Sequence, residues 1–240
     1  MDMFGRFLEI SVGTADIATS VQFYEQLGFR QLHCASIWPR LYGVLTDGRV
    51  CIGLHQREQS SPALSFVRPG LAQHLPALHA AGFEPHYTRL GDDDFHELQL
   101  RDPSGQQIVL LEARTFSPDN EAARESHCGY FTGYSLPALD QESVQAFWEH
   151  AGFVALPAQS EPYTHLPLTS DRLNLMLHGP RLLEAPALVF SDPQMAARLE
   201  VLRAMELRFA PDLPRGLSAE CNALVETPEG TLLLLLNAEP

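Results

Sequence analysis

The sequence contains no lysine; all 16 of its basic residues are arginine. That excludes a P-loop lysine, a Schiff-base lysine and a pyridoxal-phosphate anchor, because each needs an amine. Cysteine is scarce too. Cys34, Cys51, Cys128 and Cys221 form no C-x-x-C pair, so the pattern is that of reduced thiols in a cytoplasmic protein, not a zinc ribbon or a disulfide frame. No apolar run reaches membrane-spanning length, and the leucines at 232–236 are far too few. The opening MDMFGRFLEIS lacks the basic stretch and apolar core of a secretory leader. No G-x-S-x-G is present, and no cysteine has the spacing of an activated nucleophile.

What is there is an acidic, moderately hydrophobic chain of 240 residues with a formal net charge of −14. The length is enough for two small cores. The charge argues against nucleic acid as a partner and is spread rather than blocked. Asp92-Asp93-Asp94 resembles a calcium run but lacks the loop glycine and distal glutamate, and reads as an exposed turn.

The chain repeats itself. FYEQLGF at 23–29 returns as FWEHAGF at 147–153, and Asp16 and Asp140 each stand seven residues before their copy. LH at 54–55 matches LH at 177–178, and PAL at 62–64 matches PAL at 186–188. Asp102-Pro103-Ser104-Gly105 is answered by Thr227-Pro228-Glu229-Gly230; in each, Pro suits the second position of a type I turn. These offsets of 123–125 residues predict two homologous halves, 1–117 and 127–240, joined around 115–127. Each half divides again into two units of strand, helix and further strands. In the first, Asp16 caps a helix whose Ile17, Val21, Tyr24 and Leu27 fall near helical spacing and which stops at Gly28. The Asp47-Gly48 turn then joins a hairpin.

With Val12 and Asp16 in V-x-x-x-D, FYEQLGF, DPSG and their second copies, the chain resembles the vicinal oxygen chelate superfamily of glyoxalase I, extradiol dioxygenases and bleomycin-resistance proteins. The resemblance implies an α+β fold of four βαβββ modules, paired into two cup-shaped domains. In active members it also implies a divalent metal in the cup, held by His or Glu from the first and last strand of each module. The corresponding positions are Glu9, Gly53, a residue near Pro62, and Val109. In the second half they are Gly133, Met176, a residue near Pro186, and Leu234. Only Glu9 suits a hard cation.

Strand alternation places candidate groups without reference to the family. Leu8, Ile10 and Val12 form one face of the first strand; Phe7, Glu9 and Ser11 form the other, facing the cup. Cys51, Gly53 and His55 face the same way from a later strand. Glu9 and His55 are therefore the candidate ligand-binding pair, with Cys51 and Phe7 as walls and Trp38 and Tyr42 lining or covering the mouth. A displaced metal site for iron, manganese, nickel or zinc would use Glu9 and His55, with a third ligand from His96 or Glu97. In the second half, His178, Asn174, Met176, Phe131, Gly133 and Ser135 outline either an apolar pocket or a filled core.

The expected function is binding of a small organic ligand in the first cup without the family metal and with no other cofactor, by a monomer or homodimer with no membrane or nucleic-acid partner. The competing expectation is a metal-dependent lyase or isomerase of glyoxalase type, or a ring-cleaving dioxygenase. A third is an interaction module with both cups filled by side chains.

Overall fold

The computed structural model describes residues 3–33, 41–56, 62–91, 95–112, 126–205 and 207–240. Trp38, Cys34, the Asp92–Asp94 run and most of the expected join lie outside the described residues.

The first half begins with β1 (Arg6–Thr14), helix α1 (Ile17–Gln26), β2 (Arg30–Leu32), β3 (Tyr42–Thr46) and β4 (Cys51–Gln56). It continues with β5 (Ala63–Val67), α2 (Leu71–Ala80), β6 (Tyr87–Arg89), β7 (Glu97–Arg101) and β8 (Gln107–Leu111). These form one eight-stranded mixed sheet in the order β2-β3-β4-β1-β5-β8-β7-β6. The first strands of the two modules, β1 and β5, are antiparallel neighbours at its centre. Each closing strand lies parallel to its own opening strand, β4 beside β1 and β8 beside β5.

The second half repeats this with β9 (Tyr130–Pro137), α3 (Gln141–Ala151), β10 (Val154–Ala155), β11 (Leu166–Thr169) and β12 (Asn174–His178). Its last module is β13 (Ala187–Ser191), α4 (Met195–Arg203), β14 (Ala223–Glu226) and β15 (Leu232–Leu236). The sheet has seven strands, not the expected eight, in the order β10-β11-β12-β9-β13-β15-β14. Where the missing edge strand would run, the single bridge Phe209–Val225 forms among the described residues. The segment there carries Pro211 and Pro214, which have no N–H to donate to a ladder.

Local chemistry explains the helices. The Asp16 carboxylate accepts from the amides of Ala18 and Thr19, and Asp140 accepts from that of Ser143. Gly28 and Gly152 follow the helix ends with φ of 91° and 113°, a region that favours glycine.

One apolar core runs through both halves, including Phe4, Tyr24, Phe83 and Leu110 of the first and Tyr134, Trp148 and Phe190 of the second. Phe4 meets Trp148 edge-on at 6.0 Å, and Phe29 meets Phe190 at 6.2 Å. The repeated turns find their role here. Trp148, on α3, donates its indole N–H to Asp102 Oδ2 in the first half's turn, at 3.0 Å. Tyr24, at the same place on α1, donates its hydroxyl to Glu229 Oε1 in the second half's turn, at 2.8 Å. Each half's helix aromatic thus binds the other half's turn acid. Backbone bonds from Met3 N to Ala151 O (3.0 Å) and His127 N to Leu27 O (2.8 Å) flank the exchange.

Removing either donor leaves a carboxylate short of a partner, so Trp148→Phe and Tyr24→Phe should each cost about 1–3 kcal/mol in urea unfolding. Burial, and then the charge of Glu229, push the Tyr24 hydroxyl up; burial pushes the Cys128 thiol up to about 12. A group whose pKa is raised by folding stabilises the fold while protonated in both states and loses that contribution as pH rises. The melting temperature should therefore fall progressively from pH 9.0, the ordinary thiol value, towards 12. Cys128→Ala should shallow that decline.

Candidate functional site

The concave face of the first sheet is set by a β-bulge. On β1 the pairing with β5 runs Phe7 to Phe66 and then Glu9 to Ser65, leaving Leu8 as the extra residue. The bulge overturns part of the alternation expected from sequence. Phe7 turns to the helix side, where its ring meets Phe66 edge-on at 5.6 Å, so it is not a wall of the cup. Leu8 joins the cup side, packing with Ala63, Val67, Val109 and Leu111. Beyond the bulge the expected alternation resumes, with Ile10 and Val12 in the core and Glu9 and Ser11 inward.

Glu9 is 1% exposed and is the centre of a hydrogen-bonded cluster. Its Oε1 accepts from Ser11 Oγ at 2.7 Å and faces His55 Nε2 at 3.1 Å. Its Oε2 accepts from Tyr42 Oη at 2.5 Å. Ser11 Oγ in turn lies 2.7 Å from Ser65 Oγ. The Tyr42 and His55 rings tilt against each other at 4.7 Å. A carboxylate this deep is tolerable because donors surround it. Glu9, His55 and Tyr42 therefore meet. Ser11 and Ser65 belong with them; the position opposite Glu9 on β5 is Ser65, three residues beyond the expected Pro62. The clue to Ser65 is its place on an alternating strand, but the bulge hides the register.

Gly53 explains how the acid fits. A Cβ there would lie 2.0 Å from Glu9 Oε1. The carboxylate occupies the space that a side chain at 53 would need. The second half inverts this pair. Gly133 stands where Glu9 stands and Met176 where Gly53 stands, and a Cβ at 133 would meet Asn174 O at 2.8 Å and Met176 Cε at 3.3 Å.

The remaining candidates stand outside this hydrogen-bonded cluster. Cys51 is half-buried, and burial pushes its thiol up to about 11, which leaves no thiolate for nucleophilic work at neutral pH. His96 pairs through Nδ1 with Glu112 at 2.5 Å. Glu97 pairs with Arg89 at 3.1 Å and accepts from Gln99 at 2.6 Å. Neither joins Glu9. Among the described residues no three His, Cys, Asp or Glu side chains converge as a metal site. A three-ligand metal centre needs more than the carboxylate and imidazole present, so the donor set described does not fit one.

The cup side of the second sheet is apolar. Tyr163, Val189, Leu224, Leu234 and Leu236 form an apolar cluster there, with Leu182, Leu213 and Leu217 packed on it. The leucine run divides its labour: Leu233 and Leu235 face the helices, Leu234 and Leu236 the cup. His178 is fully buried in this half. Its Nδ1 lies 3.0 Å from Gly179 O, which can only accept, so Nδ1 donates and Nε2 accepts from Ser135 Oγ at 2.7 Å. Burial lowers its pKa and keeps the ring neutral.

No family model matches the chain. No curated protein matches it either. Solved structures do. A catechol 2,3-dioxygenase is 13% identical, with 98% of this chain and 88% of that one covered and a TM-score of 0.62. A variant of homoprotocatechuate 2,3-dioxygenase from B. fuscum, in complex with HPCA, is 16% identical, with 96% and 70% covered and a TM-score of 0.62. At such identities the likeness is one of fold. The chain has the α+β architecture of the vicinal oxygen chelate fold.

Gly53→Ala should evict the Glu9 carboxylate and destabilise the protein by about 2–4 kcal/mol. In a Glu9→Gly background, which copies the second half, the same substitution should be nearly neutral in chemical denaturation. His178 contributes stability above its unfolded value of 6.5 that is lost as pH falls below it, because its folded pKa is lowered. The acid-side slope of stability against pH should flatten in His178→Gln.

Proposed function

We propose that the first cup binds a small organic molecule, without the metal of active fold relatives, through the polar floor made by Glu9, Tyr42 and His55. One observation carries this reading. The two cups share their backbone plan, yet one concave face is closed by leucines while the other holds a buried, hydrogen-bonded carboxylate. A purely structural floor has no need of that charge; apolar packing serves the second half. The Glu9 carboxylate can take a hydroxyl or ammonium donor from a ligand, and a buried charged contact of this type is among the stronger ones available. His55 and Tyr42 would orient the ligand, with Cys51 nearby on the cup side of the sheet.

The runner-up is metal-assisted chemistry of the dioxygenase or lyase type. It draws on the dioxygenase chemistry of the structural neighbours and on Glu9 Oε1 and His55 Nε2 lying 3.1 Å apart. It requires a third ligand from outside the described residues.

Thermal melts separate the readings. Catechol, homoprotocatechuate and small phenolic amines, each tested without metal, should include a compound that raises the melting temperature of the wild type. Glu9→Gln, verified as folded by circular dichroism, should weaken that compound tenfold or more, and His55→Gln by a smaller factor. Unchanged affinity in Glu9→Gln would sink the binding role. Stoichiometric iron, manganese, nickel or zinc in chelator-free protein, lost in Glu9→Ala, would replace the metal-free reading with the enzymatic one.

A further inference from the structure

The internal repeat makes two equivalent corners where the halves meet, and three positions separate them: Tyr130 against Arg6, Asp47 against Ser170, and Gly48 against Asp171. One corner is built from Gly129-Tyr130-Phe131, Phe190, Gly28-Phe29 and the hairpin Thr46–Arg49. The other is built from Gly5-Arg6-Phe7, Phe66, Gly152-Phe153 and the hairpin Thr169–Arg172. The first three pieces correspond at an offset of 124 and the hairpins at 123. The equivalence is structural as well as sequential. Phe131 meets Phe190 at 5.5 Å, as Phe7 meets Phe66 at 5.6 Å. The amide of Val50 bonds the Asp47 side chain, as that of Leu173 bonds the Ser170 side chain.

At the first corner Arg49 lies flat over Tyr130, its guanidinium carbon 3.2 Å from the ring centroid. The stack joins the two halves at this corner. At the second corner Arg172 takes the place of Arg49, but Arg6 takes the place of Tyr130. Two guanidinium groups repel, so no stack closes this corner. A cleft of about 450 Å³ is left there, lined by Arg6, Phe7, Phe66, Phe153, Asp171 and Arg172 among others. That volume falls in the range of small-molecule sites, about 300–1,000 Å³. Arg6 and Arg172 are exposed, and among the described residues neither guanidinium has an ion pair or hydrogen bond. Asp171 also lines the cleft, so two cations face one anion and the local balance is positive in a chain of net charge −14.

We propose that this cleft binds a flat aromatic monoanion, its ring under Arg172 as Tyr130 lies under Arg49, and its acid group paired with Arg6. A planar guanidinium suits both partners, stacking on a ring face and pairing with a carboxylate. Phe7, Phe66 and Phe153 supply the apolar floor. None of Glu9, Tyr42 or His55 lines this cleft.

2-Naphthoate and its neutral counterpart 2-naphthalenemethanol test this by titration followed with amide NMR. 2-Naphthoate should shift Gly5, Gly152 and Ser170, with the neutral compound at least tenfold weaker. Arg6→Ala should remove the preference for the acid, and Arg172→Ala should weaken both compounds. Arg6→Tyr restores the pairing of the other corner, so it should abolish binding and raise the melting temperature. Glu9→Gln should leave the titration unchanged, which keeps this site distinct from any failure of the cup. No shifts up to about 1 mM naphthoate, equal binding of the neutral compound, or shifts centred on Gly53 and Ser65 would each overturn the proposal.

Discussion

The reciprocal bond between helix and turn is the constraint on which the rest of the molecule depends. Trp148 reaches the Asp102 turn of the first half, and Tyr24 reaches the Glu229 turn of the second. Because the donors are buried aromatics and the acceptors are carboxylates, each bond has a narrow geometry and a real cost when broken. Together they set the two halves in a near-symmetrical relation around one continuous core. The repeated Pro-Gly turns are therefore more than strand connectors. Each presents an acid to the opposite half, Asp102 from the first position of its turn and Glu229 from the third.

Once the frame is duplicated, each copy is free to use its concave face differently. The first half places a large acid on β1 and a glycine on β4. The second places a glycine on β9 and a methionine on β12. The swap reverses which strand carries the larger side chain. A carboxylate in the first cup brings Ser11, Tyr42 and His55 around it; in the second, the corresponding imidazole turns to Ser135 and the remaining volume closes with leucine and Tyr163. The same logic acts at the corners between halves, where a tyrosine in one copy and an arginine in the other separate a filled stack from a cleft. Duplication supplies the sites in pairs, and single side chains decide which member of each pair can accept a ligand.

Much of this was readable along the chain. The offsets of FYEQLGF, the paired Asp caps and the Pro-Gly turns were enough for two halves and for the α+β module order, because these signals are local and survive without tertiary information. The inward direction of Glu9, Cys51 and His55 followed from two-residue alternation. Phe7 and Leu8 did not follow it, because a bulge adds one residue to β1 and reverses the face of everything before it. Ser65 was missed for the same reason: its register against Glu9 is set by strand pairing across the half. The eighth strand of the second sheet was expected from the repeat and is absent among the described residues, where Pro211 and Pro214 interrupt the ladder.

Periodicity and spacing, then, were sufficient for the architecture and for a short roster of polar groups, since both are consequences of bonds between near neighbours. Which of those groups touch was settled only by folding. That Glu9 lies over Gly53, that His96 is taken by Glu112, and that Arg6 and Arg172 line one cleft are relations between residues 16 to 166 positions apart, or between sheet strands whose register no short motif encodes. Such contacts depend on how two curved sheets and four helices pack, and that packing is a property of the whole chain.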